Sequence, residues 1–307
     1  MKILLTGAAG QLGSELLPLL ANQGEVFATD RGTPPSAPAN WVQLDISDKD
    51  GLDGLLRRLQ PELIINTAAY TAVDQAESDA DMAFAVNAGL PAQLAHWANT
   101  NDARLLHYST DYVFDGAAEI PYRESDKPDP QCVYGESKLA GELVIRESGC
   151  DHVTLRTSWV YSSHGKNFVL SMLDLARRGL ALKVVDDQRG CPTWARNLAR
   201  ASVAVINAWE AFGTEERSGV FHYCDDRDLN WYDFAGCIFD LAVEKKLLEC
   251  KPDLTPVPGS EFPQPAKRPG WSVLDTTLIE QTFDIYPASF TESLEIVMNE
   301  ILQRELI

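Results

Sequence analysis

The stretch KILLTGAAGQLGSELLPLL, residues 2–20, decides the fold. Lys2 to Thr6 is an apolar run of strand length, and from Gln11 to Leu20 the leucines Leu12, Leu16, Leu19 and Leu20 recur with helical spacing. Between them lies the glycine turn TGAAGQLG, residues 6–13. A strand that feeds a glycine turn and then a helix is the arrangement that binds dinucleotides. Gly7 permits the tight turn, Gly10 lets backbone approach a pyrophosphate, and Gly13 allows helix to pack closely on strand. Free amides at the helix start then face the phosphates. Pro18 falls inside the helix and is expected to bend it or remove a hydrogen bond.

Outward from this turn, strand-like and helix-like segments alternate. Strands are expected at Glu25 to Thr29, Trp41 to Leu44, Glu62 to Asn66, Arg104 to Tyr108 and His152 to Arg156, with helices at 48–60, 75–100 and 134–148. That alternation predicts an α/β fold, a doubly wound parallel (Rossmann) sheet. Residues 31–40, with Pro34, Pro35 and Pro38, read as a surface loop. The second half is less regular, with helices expected at 167–178, 194–211, 231–246 and 290–304, a strand at Val220 to Tyr223, and a proline-rich run from Lys251 to Pro269. We expect a dinucleotide-binding domain over 1–160 and, over 161–307, a smaller substrate lobe with some segments returning to the main sheet.

Ligands of such sheets bind beyond the carboxyl ends of the strands. Asp30 ends the second strand where a carboxylate accepts hydrogen bonds from the adenosine ribose, which fits NAD. Arg31 beside it fits the 2′-phosphate of NADP, so both NADH and NADPH stay open. After the fourth strand, the small residues Ala68 and Ala69 let backbone pass beside a cofactor. After the fifth comes the hydrogen-bonding cluster Ser109-Thr110-Asp111-Tyr112.

The second motif is YGESK, residues 134–138. Composition alone supplies about 0.3 Tyr-x-x-x-Lys pairs in such a chain, so the pair gains meaning only from its place. Tyr134 and Lys138 open a helical stretch, one turn apart on one face. An ammonium there favours phenolate and lowers the phenol's pKa. Tyr134 then protonates an alkoxide as hydride reaches a carbonyl carbon, while Lys138 also holds the nicotinamide ribose.

Bulk properties narrow the class. With 307 residues, 45% hydrophobic, the chain has enough apolar content for a substantial core. The net charge of −19 disfavours nucleic acid and anionic membrane. An anionic substrate therefore needs a local basic patch, for which Arg156, Arg189, Lys267 and Arg268 are candidates. No apolar run reaches the roughly 20 residues of a membrane span. The start reads directly into a strand, and the six scattered cysteines fit a reduced, cytoplasmic chain. Neither HExxH, metal-ligand histidine spacing nor GxSxG occurs, which disfavours metal and acyl-transfer chemistry.

Glycine turn, Thr110 and Tyr134/Lys138 together resemble the extended short-chain dehydrogenase/reductase superfamily. More narrowly, ILLTGAAGQLG, NTAAYTAVDQAE, HYSTDYVFDG, VYGESKLAGE, LRTSWVY, DDQRGCPT and RPGWSVLD resemble the dTDP-4-dehydrorhamnose reductases. The resemblance implies NAD(P)H-dependent reduction of the C4 ketone of a dTDP-sugar, dTDP-4-dehydro-L-rhamnose, in the biosynthesis of cell-surface polysaccharide. It assigns cofactor contacts to Gly10, Gln11, Leu12, Asp30, Asp45, Ile46, Ala68 and Ala69, a catalytic role to Thr110, and both cofactor and catalytic roles to Tyr134 and Lys138. Thr110, Asp111 and Trp159 would contact the substrate, Trp159 serving equally well as a core residue. Some members dimerise through a magnesium ion held by glutamates. Glu15 and Glu300 match two of those positions, but Arg196 occupies the third, so no structural magnesium is expected and the chain is a monomer or homodimer. Alternatives are a sugar-nucleotide epimerase or dehydratase, although dehydratases carry glutamate where Tyr112 stands, and a non-enzymatic NADP-binding regulatory subunit like that of methionine adenosyltransferase.

Overall fold

In the computed structural model, which describes residues 1–34, 37–214 and 217–305, the opening strand β1 (Lys2–Thr6) lies in the interior of a seven-stranded parallel sheet. Beside it on one side run β2 (Glu25–Asp30) and β3 (Trp41–Gln43), and on the other β4 (Leu63–Asn66), β5 (Arg104–Thr110) and β6 (His152–Thr157), with Gly219–His222 at the far edge. The order reverses at β1, which opens the crevice that nucleotides occupy in such sheets.

Alternation along β1 explains why both faces are covered. Ile3 and Leu5 join Leu16 and Leu20 of the first helix (Gln11–Leu20) and Leu198, Val205 and Trp209 of the helix Ala195–Phe212. Leu4 points to the opposite face and packs with Leu52, Leu56, Leu90 and Leu94. A parallel sheet needs this double cover, because its crossover helices lie on both faces.

Three strands run further than their periodicity suggests: β2 to Asp30, β5 to Thr110 and β6 to Thr157. These extensions bring Asp30 and Thr110 to the carboxyl edge. Pro18 leaves the first helix unbroken over Gln11–Leu20. The long helix expected over 75–100 is instead a short turn, Val73–Ala76, followed by an unbroken helical run from Ala80 to Thr100 that contains a π turn at Ala85–Gly89. Of the proline loop expected at 31–40, Pro35 lies outside the described residues.

A second apolar core forms around Tyr161, Trp194, Phe234, Phe239 and Phe290. It is built from the helices Phe168–Arg177, Trp231–Glu244 and Phe290–Glu305 with three two-stranded pairings. The chain leaves the main sheet after β6 and returns to it at Gly219–His222.

Candidate active site

The glycine turn is shaped by close approach. Gly7 has φ +68°, and a Cβ on it would stand 2.6 Å from the Ala68 nitrogen, so the β1 and β4 loops meet only because this residue is glycine. A Cβ on Gly13 would lie 2.3 Å from the Gly7 carbonyl oxygen, which enforces tight packing of helix on turn. Thr67 stitches the same point, its hydroxyl donating to the carbonyls of Thr6 (2.6 Å) and Gly7 (3.1 Å). No side chain caps the first helix and no acidic residue occupies its first turn, leaving its positive end to an anion. This cradle fits a dinucleotide pyrophosphate.

Asp30 lies beside the cradle and accepts from the amides of Ala9 (3.0 Å) and Arg31 (2.7 Å). Asp45 accepts from the amide and hydroxyl of Ser47, bonds that hold its carboxyl below the usual range, helped by the charge of Arg31. Ile46 packs on the β-sheet core nearby. Gln11 differs from expectation in one respect. Its side-chain oxygen already accepts from Ser162 and Asn167, both at 2.8 Å, so its side chain ties the first helix to residues 162–167 and leaves backbone for a cofactor. Leu12 packs its side chain on the core and likewise offers backbone.

Across the crevice, Thr110 ends β5 and opens a short turn, its hydroxyl donating to Asp111 (3.0 Å) and accepting from the Tyr112 amide (3.3 Å). Tyr134 is the second residue of the helix Val133–Ser148, and the Thr110 hydroxyl lies near its phenol. Burial pushes the phenol well above its ordinary value, and the nearby Thr110 hydroxyl opposes that. Lys138, one turn on, is buried, and its Nζ donates to the Tyr108 carbonyl at 2.6 Å. Burial lowers the ammonium to about 8, while Glu142 pulls it up. The depressed phenol expected from the lysine is therefore absent in this arrangement, because Lys138 is turned to a main-chain oxygen. Asp111 is fully enclosed, and burial raises its carboxyl to about 6 against the nearby hydroxyls of Ser272 and Thr110. Its Oδ2 has no hydrogen-bond partner among the described residues.

Behind these groups stands Asn87, which the sequence reading missed. Its side chain binds both the amide (2.9 Å) and the carbonyl (3.1 Å) of Tyr70 and donates to Ser137 at 3.0 Å. It lies in the π turn and fixes the β4 loop to the helix that carries Tyr134 and Lys138. A buried asparagine in the otherwise apolar AFAVNAGL was the available signal.

Trp159 is half-buried, with the left-handed φ of +48°, and stacks on Trp231 at 3.5 Å between ring centroids. A bulky residue in that conformation is strained, which marks candidate functional positions. Of the basic patch, Arg156 is not available to a substrate: it is buried and doubly bonded to Glu142, at 2.9 and 2.6 Å. Arg189 pairs with Asp228 and Arg268 with Asp74, while Lys267 donates to Gln131. Arg196 bridges Glu15 and Glu300, at 2.6 Å to each.

The family model described as the RmlD substrate binding domain matches residues 1–303. A dTDP-4-dehydrorhamnose reductase of Aggregatibacter actinomycetemcomitans is 39% identical over 296 residues, covering 96% of this chain and 97% of that protein. Among solved structures, a dTDP-4-dehydrorhamnose reductase from Clostridium acetobutylicum superposes with a TM-score of 0.87 at 37% identity, covering 98% of this chain and 100% of the other. One from Bacillus anthracis, in complex with NADP, gives 0.85 at 31% identity, covering 97% and 99%.

Proposed function

The chain belongs to the RmlD family of dTDP-4-dehydrorhamnose reductases, and from that premise we infer that it reduces the C4 ketone of dTDP-4-dehydro-L-rhamnose to dTDP-L-rhamnose with NADPH or NADH. The observation that carries this reading is the gathering of Thr110, Tyr134 and the buried Lys138 at the end of β5, at the same edge of the sheet as the glycine cradle that follows β1. When bound, the nicotinamide supplies a hydride to C4. Tyr134 gives its phenolic proton to the C4 oxygen, which balances the reduction. Thr110 directs its hydroxyl at that oxygen and steadies the charge that develops there. Lys138, charged at neutral pH, spends one N–H on Tyr108 and keeps two for a ribose hydroxyl and the phenolate that Tyr134 becomes.

Gly7, Gly10, Gly13, Ala68 and Ala69, with the backbone of Gln11 and Leu12, form the proposed cofactor cradle; Asp30, Arg31, Asp45 and Ile46 surround the adenosine. Asp111 and Trp159 face the sugar, held by the smaller lobe. We place the reaction in the cytoplasm; no helix among the described residues is long and apolar enough to cross a membrane.

The test is oxidation of NADPH and of NADH in the presence of enzymatically generated dTDP-4-dehydro-L-rhamnose, beside Tyr134→Phe. The variant should keep its cofactor affinity and lose about 10²- to 10⁴-fold in kcat. No turnover by the parent removes the reductase reading, and equal turnover by the variant removes Tyr134 as the acid. Tightly retained NAD after purification would favour an epimerase.

A further inference from the structure

Gln11 faces two ways. It is the first residue of the helix Gln11–Leu20, so its backbone stands at the uncapped positive end proposed to meet the pyrophosphate. Its side chain reaches the segment 162–167: Oε1 accepts from the Ser162 hydroxyl and from Asn167 Nδ2, each at 2.8 Å, and Nε2 donates to the Lys166 carbonyl at 3.4 Å. The fit is close. Gly165 has φ +73°, and a Cβ there would stand 2.9 Å from Gln11 Cγ, so the segment lies against this side chain. A second tie, His164 Nε2 to Glu15 at 3.1 Å, joins the segment to the helix one turn further on, away from the cradle.

Asn167 passes the contact onward. Its Nδ2 also lies 3.0 Å from the carbonyls of Ser162 and His164, and its Oδ1 accepts from the Leu170 amide at 3.1 Å, capping the helix Phe168–Arg177. Phe168, the first residue of that helix, meets the Trp231 ring with centroids 4.6 Å apart, and Trp231 stacks on Trp159 at 3.5 Å. An unbroken series of contacts therefore runs from the residue at the proposed phosphate site to Trp159, the ring proposed to face the sugar. A phosphate that fixes the helix start also fixes Gln11, and with it the end of the helix that carries Phe168. Groups ordered by the first ligand need not be ordered again by the second, which then binds more tightly.

We infer that the Gln11–Asn167 hydrogen bond is a joint between the two halves of the site, so that NADPH and the nucleotide sugar strengthen one another's binding. This coupling rests on the reductase reading for the identity of both ligands. The side chains of Gln11 and Asn167 are then positioning groups, acting through Phe168 and Trp231.

The experiment is titration calorimetry of dTDP-L-rhamnose with the full-length parent, Gln11→Met and Asn167→Ser, with and without saturating NADPH. This sugar has no ketone at C4, so its complex with NADPH cannot turn over. NADPH should strengthen the sugar nucleotide about 5- to 20-fold in the parent, and the sugar nucleotide must strengthen NADPH by the same factor. Both variants should bring that factor close to one. Gln11→Met keeps the backbone and the side-chain length, while Asn167→Ser keeps a helix cap, so each serves if the other does not fold. A parent factor close to one, or no binding of the dTDP-sugar, overturns the inference. So does a variant that weakens the sugar nucleotide equally with and without NADPH, since the hydrogen bond is then only a brace. If the parent does not reduce the ketone yet shows the coupling and loses it in the variants, the reductase reading falls and the joint stands; turnover without coupling does the reverse.

Discussion

Lys138 and Glu142 stand one turn apart on the buried side of the helix Val133–Ser148, yet their charges are held on opposite terms. Glu142 meets Arg156 through two bonds, and the Arg156 guanidinium also lies 5.1 Å from the centre of the Phe114 ring. Lys138 has one main-chain carbonyl and an ammonium lowered to about 8. A fully paired buried charge suits a scaffold, whereas an incompletely paired one keeps its protons and bonds for a ligand. We propose that the asymmetry separates the part of the helix that positions from the part that reacts.

Breaking the paired level should give the largest effect. Glu142→Ala strands the Arg156 guanidinium in the core, and denaturant unfolding should show a loss of about 3–5 kcal/mol. The double change Glu142→Leu with Arg156→Met should recover most of it; failure to recover would mean that the pair contributes more than mutual neutralisation. Glu142 also raises the Lys138 pKa, so a folded Glu142→Gln should move the alkaline fall in kcat/KM, expected near pH 8, to lower pH. An unmoved alkaline limb would dissociate that limb from Lys138.

Asp111 sharpens the comparison from the reactive side. Its carboxyl is raised from 3.8 to about 6 by burial, so the folded protein disfavours the ionised form. That cost is absent well below pH 3.8 and complete above about pH 6. Relative to Asp111→Asn, the parent should therefore gain up to about 3 kcal/mol as pH falls from 7.5 toward 4. Parallel stability curves for the two proteins would show that Asp111 ionises without penalty.

Much of the local geometry of the candidate site was legible in residue types. Gly7 is needed because any side chain would strike Ala68, and the Tyr134–Lys138 spacing places both on one helix face. Periodicity tells which face is buried but not what lies opposite. Arg156 therefore read as a candidate for a basic patch although Glu142, from another element, neutralises it. For the same reason Lys138 could not be seen turning to the carbonyl of Tyr108, 30 positions earlier. The π turn at Asn87 depends on bonds to Tyr70 and Ser137, which no local pattern encodes.

Arg196 supplies the smallest effect and an intermediate case, a charge cluster neither sealed in the core nor free in solvent. Its side chain is 30% exposed and reaches Glu15 of the first helix and Glu300 of the last. Burial raises the Glu15 carboxyl, but hydrogen bonds from His164 and Arg196 outweigh it and hold the group below the usual range. A guanidinium between two carboxylates already satisfies the charge that a divalent ion would neutralise there, so we propose that no magnesium binds at this point. Arg196→Met should lower stability by only about 1 kcal/mol, since partly exposed pairs are screened by water. Chelation should change neither the melting temperature nor the mass in solution of the parent protein. A dimer that dissociated on chelation would show that a metal, not Arg196, governs this cluster.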